Sequence, residues 1–193
     1  MDSLDKEYWN NRYQNNQFGW DLGAISTPLK TYIDQLENTS ISILIPGAGN
    51  SYEAEYLFKA GFSNTFLIDF APLPLRNFKS RMPQVSDDHL ICEDFFKHQG
   101  KYDLILEQTF FCAINPSLRK EYVAHAHALL KPGGKIVGLL FDDKLNTDTP
   151  PFGGNKEEYI ELFSGTFQIK RMEACYNSIA PRAGRELFIE FIA

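Results

Sequence analysis

The sequence has few cysteines and no pattern that would gather them around a metal ion. Its three cysteines, Cys92, Cys112 and Cys175, are odd in number and widely spaced, so they do not form a disulfide framework. No C-x-x-C and no H-x-x-x-H pattern occurs in the chain. These are the spacings that commonly present zinc ligands, and we therefore expect no metal site.

Long apolar runs and clusters of basic residues are also missing. No apolar stretch approaches the roughly 18 residues of a transmembrane helix, and the polar start of the chain is unlike a signal peptide. The net charge is −6 and the pI is about 5.2. Nucleic-acid-binding proteins carry a basic face, which this composition does not favour. We expect a cytoplasmic monomer with no nucleic-acid or membrane partner, formed by one domain over residues 1–193.

One stretch, residues 41–61, predicts a strand, a glycine turn and a helix. Its β-branched run is typical of a buried strand and ends at Pro46, which cannot donate to a sheet. Gly47 and Gly49 then leave the backbone free of side chains, as in nucleotide sites. For the helix start, Asn50 is the predicted N-cap and Glu53 its capping-box partner.

The glycine turn departs from the dinucleotide fingerprint G-x-G-x-x-G, because Tyr52 occupies the position of the third glycine. Asp69 ends the next predicted strand, about 20 residues after Gly49, where a ribose-binding carboxylate is expected. Together these features favour an adenosine ligand without a pyrophosphate, such as S-adenosylmethionine. Taken alone, the glycine turn is equally compatible with an ordinary strand–helix connection.

The order of predicted elements defines the fold class. Strands and helices alternate about five times, which predicts an α/β fold with a parallel sheet and helices on both faces. Two final strands, Phe167–Tyr176 and Glu186–Ile192, have no helix between them and therefore pair antiparallel. The prediction is a Rossmann-like, seven-stranded, mostly parallel sheet with a C-terminal antiparallel hairpin.

Other candidate site residues lie at strand ends and in the aromatic N-terminal segment. Asp94 and Phe95 follow the third predicted strand, where a carboxylate and a ring can hold adenine. Trp9 and Tyr13 share one helical face and, with Trp20, predict either a lid over a ligand or a cover over the core. The apolar run after Glu107 lines either the core or a pocket, and the loop over residues 142–155 is expected to be a flap. We predict that an apolar substrate pocket is formed by Phe110, Phe111, Phe141 and Phe152.

These motifs resemble the class I S-adenosylmethionine-dependent methyltransferases. The resemblance is stronger to the thiopurine S-methyltransferase family, including its halide/thiol methyltransferase branch. It covers nearly the whole chain and is most specific in FFCAINP and in the tryptophan-bearing N-terminus. The matching segments are YWNNRY, GWDLG, IPGAG, EDFF, YDLILEQTFFCAINPSLR, LLKPGG and IAPRAGRE.

The resemblance implies a set of roles. The cofactor is S-adenosylmethionine, the product is S-adenosylhomocysteine, and the partner is a small soft nucleophile such as a thiol, bisulfide, a halide or a thiopurine-like compound. Residues 1–40 form an N-terminal lid and helix on a core of residues 41–193. Arg119 is the candidate catalytic residue, and Arg182 faces the acceptor. The implied cofactor-binding residues are Trp9, Tyr13, Trp20, Gly47, Gly49, Asp69, Asp94, Phe95 and Glu107.

Two alternatives stay open at this point. A nicotinamide-dependent oxidoreductase has a related fold, but Tyr52 and the C-terminal hairpin argue against it. A non-catalytic S-adenosylmethionine-binding protein is compatible with every motif, because methyl transfer to a soft nucleophile demands few diagnostic side chains.

Overall fold

The computed structural model describes residues 4–193, so the first three residues of the predicted lid lie outside it. The strands are β1 (Ile43–Pro46), β2 (Thr65–Ile68), β3 (Leu90–Ile91), β4 (Tyr102–Gln108), β5 (Leu130–Phe141), β6 (Gln168–Ala174) and β7 (Glu186–Ile192). They form one seven-stranded sheet in the order β3-β2-β1-β4-β5-β7-β6. Strands β1 to β5 are parallel, whereas β7 pairs antiparallel with both β5 and β6. The predicted mixed sheet with a C-terminal hairpin is confirmed.

Six helices cover the sheet: α1 (Lys6–Gln14), α2 (Thr27–Ile33), α3 (Tyr52–Lys59), α4 (Pro72–Arg81), α5 (Arg119–Leu129) and α6 (Lys156–Phe163). Two buried clusters show that both faces are packed. Side chains of α2, α3 and α4, including Leu29, Leu57 and Phe78, fill one cluster. Side chains of α5 and α6, including Tyr122 and Phe163, fill the other. Within residues 4–193, none of these helices is long and apolar enough to cross a membrane.

The first strand–helix unit differs from the prediction at the start of its helix. Strand β1 ends at Pro46 as expected, but the N-cap is Ser51, whose backbone is in the left-handed region (φ 51°). The predicted capping box is wrong, because the Glu53 side chain is buried and accepts a hydrogen bond from the backbone N–H of Ser26 (3.2 Å). A tertiary contact to the residue before α2 has therefore replaced the local one.

Strand β5 is the longest strand of the sheet, since it runs from Leu130 to Phe141. Leu130 pairs with Tyr102, and Lys135 pairs with Leu104, so residues 131–134 form an irregularity in the register. Pairing with β4 has extended the strand backwards through the Pro-Gly-Gly segment. Strand β6 is shorter than the predicted Phe167–Tyr176, by one residue at its start and two at its end.

Gly138 lies where β5 passes closest to β4. A methyl group at this position would meet the carbonyl oxygen of Glu107 at 2.2 Å and its Cβ at 2.5 Å. Neither atom can withdraw without breaking the β4–β5 pairing. We therefore expect Gly138→Ala to lower the free energy of unfolding by at least about 1–3 kcal/mol, measured by urea denaturation.

The matched control is Gly165→Ala, because no atom lies within 4 Å of the added methyl group. This variant should unfold at the same urea concentration or gain up to about 1 kcal/mol from a less flexible unfolded chain. Equal destabilisation of the two variants would contradict the close β4–β5 approach.

Candidate active site

A cavity of about 990 Å³ lies at the carboxyl ends of the parallel strands. Its volume is at the upper end of the range of ligand pockets, roughly 300–1,000 Å³. Residues that follow each of the five parallel strands line it, together with α1 and the connection before β7. Ten of the predicted site residues are among the lining: Trp9, Tyr13, Trp20, Gly47, Asp69, Asp94, Phe95, Phe110, Phe141 and Arg182.

The floor of the cavity is the glycine turn after β1. Gly47 has a positive φ of 61°, and a methyl group there would lie 2.4 Å from the Cδ2 atom of Phe110. The bare backbone therefore lets the Phe110 ring pack directly on the turn. Gly49 (φ 53°) lines a smaller adjoining pocket instead of the main cavity, together with Trp20 and Gly47.

Asp69 supplies a carboxylate at the end of β2. Its Oδ1 accepts a hydrogen bond from the backbone N–H of Ala71 (2.8 Å). Burial raises the pKa of Asp69 to about 6, and the N–H groups of Ala71 and Gly49 limit that rise. The carboxyl group is therefore mostly ionised at pH 7 and protonated in mild acid.

An aromatic cluster from the N-terminal segment closes the cavity above the glycine turn. Trp9 and Tyr13 of α1 meet the Trp20 ring edge to face, with centroid distances of 5.6 and 5.9 Å. The phenol of Tyr13 has a raised pKa, first through burial and then through the negative charge of Asp69. Arg182 fixes the segment from the other end of the chain, because its Nη2 donates to the Trp20 carbonyl oxygen (2.8 Å).

Asp94 and Phe95 lie together where the chain leaves β3. Asp94 caps a short 3₁₀ turn, Phe95–Lys97, by accepting from the backbone N–H of Phe96 (3.0 Å). The Phe95 ring is buried, stacks on Tyr122 and meets Phe110 edge to face at 5.1 Å. A carboxylate and an apolar ring thus border the same part of the cavity.

Glu107 is buried behind the cavity wall, unlike the expectation that it reaches the cofactor. Its Oε1 accepts from the backbone N–H groups of Phe110 (2.8 Å) and Phe111 (2.9 Å). Its Oε2 accepts from the hydroxyl of Tyr122 (2.8 Å). Burial raises the pKa of Glu107 to about 7, and these three hydrogen bonds oppose the rise. The side chain holds the loop after β4 in shape.

Arg119, Phe111 and Phe152 also lie outside the cavity lining, which corrects the expected placement of all three. Arg119 begins α5 and faces α6, where Nη1 pairs with Glu158 (2.7 Å) and Nη2 donates to the carbonyl oxygen of Gly153 (2.7 Å). Its guanidinium lies over the Phe111 ring at 4.8 Å. The rings of Phe111 and Phe152 are each 1% exposed, so they pack in the core behind the wall.

Several lining residues were not predicted. Arg12 lies three residues after Trp9, so their shared helical face could have revealed it. Cys112 contributes a thiol that donates to the Thr109 carbonyl oxygen (3.3 Å), and burial raises its pKa to about 12. Asp5, Lys6, Glu93 and Arg185 complete the unpredicted charged lining.

The predicted flap over residues 142–155 does border the cavity, through Leu145, Pro150 and Pro151. These apolar side chains face the part of the cavity that is furthest from β3 along the sheet. Within residues 4–193, no group of three or more histidine, cysteine or acidic side chains is arranged to hold a metal ion.

Solved structures of methyltransferases share this fold. A 1,6-didemethyltoxoflavin-N1-methyltransferase from Burkholderia thailandensis, solved with S-adenosylhomocysteine, superposes with a TM-score of 0.75 at 15% identity, covering 98% of this chain and 87% of that one. A magnesium protoporphyrin IX methyltransferase from Synechocystis, solved with S-adenosylmethionine, gives 0.73 at 12% identity, covering 100% and 99%. At these identities the likeness establishes the architecture alone.

Sequence relatives are more specific. A probable thiol methyltransferase 2 of Arabidopsis thaliana is 27% identical over 184 residues, covering 92% of this chain and 81% of the relative. A thiopurine S-methyltransferase of Vibrio atlanticus is 26% identical, covering 82% and 81%. A thiocyanate methyltransferase 1 of Brassica oleracea is 24% identical, covering 96% and 84%.

The family model of thiopurine S-methyltransferase matches residues 4–188, which is nearly the whole chain. This match includes every residue that lines the cavity. The chain belongs to the thiopurine S-methyltransferase family and is an S-adenosylmethionine-dependent methyltransferase.

Proposed function

We propose that this protein transfers the methyl group of S-adenosylmethionine to a small soft nucleophile, with organic thiols as the preferred class. The observation that carries the proposal is the single cavity in which a carboxylate-lined half over β2 and β3 joins an apolar half over β4 and β5. One half suits a nucleoside, and the other suits an uncharged or weakly hydrated acceptor. The names of the sequence relatives supply the thiol class.

The cavity residues fit the cofactor. Gly47 borders the cavity and Gly49 the adjoining pocket, and neither places a side chain between the turn after β1 and a ligand. Asp69 offers a carboxylate to the ribose hydroxyls, and Asp94 with Phe95 offers a carboxylate and a ring to adenine. The rings of Trp9, Tyr13 and Trp20 would cover the bound molecule. When bound, S-adenosylmethionine would supply a methyl group on a positively charged sulfur, so that a nucleophile could bond to the methyl carbon as the carbon–sulfur bond breaks and S-adenosylhomocysteine leaves.

The acceptor half is formed by apolar side chains that exclude water. Phe110 and Phe141 line it together with Ile114, Leu118 and the proline pair of the flap. The guanidinium of Arg182 lies over the Phe141 ring at 5.6 Å, so a cation borders an otherwise apolar wall. Such a surface attracts a polarisable thiolate without hydrating it.

The chain contributes alignment more than proton transfer. No histidine of residues 4–193 lines the cavity, and the thiol of Cys112 is kept protonated by burial. A thiol acceptor needs no strong general base near neutral pH, because a few per cent of it is already ionised to the thiolate. Holding the thiolate and the methyl group in line is worth up to roughly 7–11 kcal/mol in favourable intramolecular models.

The family match argues against a nicotinamide-dependent oxidoreductase. Tyr52, which begins α3 at the position of the third glycine, argues against it as well. The non-catalytic alternative is separated by a turnover assay. Purified protein is incubated with S-adenosylmethionine and a panel of thiols, bisulfide, iodide and thiocyanate. We expect S-adenosylhomocysteine to form with organic thiols. Binding of the cofactor without turnover on any acceptor would contradict the proposal and support a binding protein.

Asp69 gives a prediction about affinity and pH. Asp69→Asn should weaken cofactor binding roughly 10–100-fold, since it removes a charged acceptor of hydrogen bonds. Because the pKa of Asp69 is raised to about 6, the carboxylate is lost as pH falls through 6. The dissociation constant of the wild type should rise up to about tenfold between pH 7.5 and pH 5, and that of Asp69→Asn should stay flat. Titration calorimetry measures both, and parallel pH curves would remove Asp69 from the site.

Trp20 tests the covering role of the N-terminal segment. Trp20→Ala should weaken cofactor affinity by roughly tenfold, because it removes aromatic surface and cation–π attraction for the sulfonium. The control is Tyr176→Ala, which removes an aromatic side chain that is 86% exposed and does not line the cavity. An unchanged affinity in Trp20→Ala would rule out the lid.

A further inference from the structure

The charged side chains that follow the strands are separated along the sheet, whereas Asp5, Lys6 and Arg12 line the cavity from the N-terminal segment. Three carboxylates, Asp69, Glu93 and Asp94, follow β2 and β3 near one edge. Two guanidinium groups, Arg182 and Arg185, belong to the connection before β7 on the other side of β1 and β4. A ligand that spans the cavity therefore meets hydrogen-bond acceptors at one end and cations at the other.

Arg12 adds a third guanidinium from α1, above the glycine turn. It lies over the Trp20 ring, with its central carbon 5.6 Å from the ring centre. Trp20 itself lines the small pocket beside Gly47 and Gly49, and the hydroxyl of Tyr13 would lie 3.3 Å from a methyl group on Gly49. Arg12 is thus connected through one ring to the turn that carries the nucleotide-binding backbone.

The three arginines differ in their protein partners. Arg182 pairs with Glu186 at 3.4 Å, and Arg185 pairs with Asp143. Among the described residues, no carboxylate lies within ion-pair distance of Arg12, and its buried Nε atom has no hydrogen-bond acceptor. An unsatisfied buried donor of this kind is costly unless a ligand completes it. Within residues 4–193, Arg12 is therefore the arginine of the cavity that lacks a carboxylate partner.

The cofactor carries the complementary group. Its methionine portion bears a carboxylate, and the residues assigned so far satisfy only its ribose and adenine. We propose that Arg12 binds the carboxylate of the methionine portion of S-adenosylmethionine. The proposal deepens the function proposed above and rests on its cofactor.

The chemistry of the guanidinium supports this assignment. One edge of the planar group, formed by Nε and a neighbouring Nη, presents two parallel donors that match two carboxylate oxygens. The Tyr8 and Trp20 ring centres lie 5.7 and 5.6 Å from its central carbon, so two rings hold the guanidinium where Arg12 lines the cavity. Arg12 and the aromatic cover both belong to the N-terminal segment. A cofactor bound by Arg12 is therefore coupled to the cover.

The test compares two ligands that differ in the carboxylate alone. Titration calorimetry measures binding of S-adenosylmethionine and of decarboxylated S-adenosylmethionine to the wild type and to Arg12→Gln. The wild type should bind the complete cofactor roughly 10–100-fold more tightly. Arg12→Gln should lose that factor for S-adenosylmethionine and bind the decarboxylated ligand as the wild type does. Arg12→Lys, which keeps the charge but not the two parallel donors, should lie between them.

Lys59→Gln is the matched control, because Lys59 is an exposed cation of α3 that pairs only with Glu55. It should preserve the preference of the wild type for the complete cofactor. Equal affinity of the wild type for both ligands would overturn the proposal, as would equal weakening of both ligands in Arg12→Gln. Loss of the preference in Arg185→Gln instead of Arg12→Gln would place the carboxylate at the opposite end of the cavity. Since the assay measures binding alone, a failure to methylate thiols would overturn the proposed acceptor and leave this result standing.

Discussion

The buried carboxylate of Glu107 shapes the wall on which the rest of the site depends. A carboxylate out of water is costly unless its oxygens are hydrogen-bonded, and two backbone N–H groups and the Tyr122 hydroxyl satisfy it here. The same bonds fix the loop after β4, so that the Phe110 ring rests on the bare backbone of Gly47. The glycine turn and the loop after β4 are therefore held in place by one buried side chain that does not line the cavity.

A second long-range contact joins the two ends of the chain over that floor. Arg182, just before β7, donates to the carbonyl oxygen of Trp20, and the Trp20 ring in turn packs against α1. The antiparallel hairpin that distinguishes this sheet thus also holds the aromatic cover. Arg182 also lies over the Phe141 ring, so one side chain contacts both the aromatic cover and the end of β5.

Residues near a strand end were predictable as site residues, because a parallel sheet places all such ends at one edge. Gly47, Asp69, Asp94 and Phe95 meet at the cavity for that reason. Glu107 obeys the same positional rule but turns beneath the loop, and Arg119 turns towards α6. The direction of a side chain depends on which partner the fold brings near it, and neither Tyr122 nor Glu158 is near these residues in sequence.

The sequence by itself determined the order of elements, the antiparallel hairpin and the family, since periodicity, turn residues and motif spacing are local properties. The tertiary structure decided which charged groups face the cavity. Glu53 accepts a hydrogen bond from Ser26 instead of capping its own helix, and Arg119 pairs with Glu158. Arg12 lies beside Trp20 with no carboxylate partner among residues 4–193. Pairing of buried charges is settled by distances between segments far apart in the chain, and only the packed fold sets those distances.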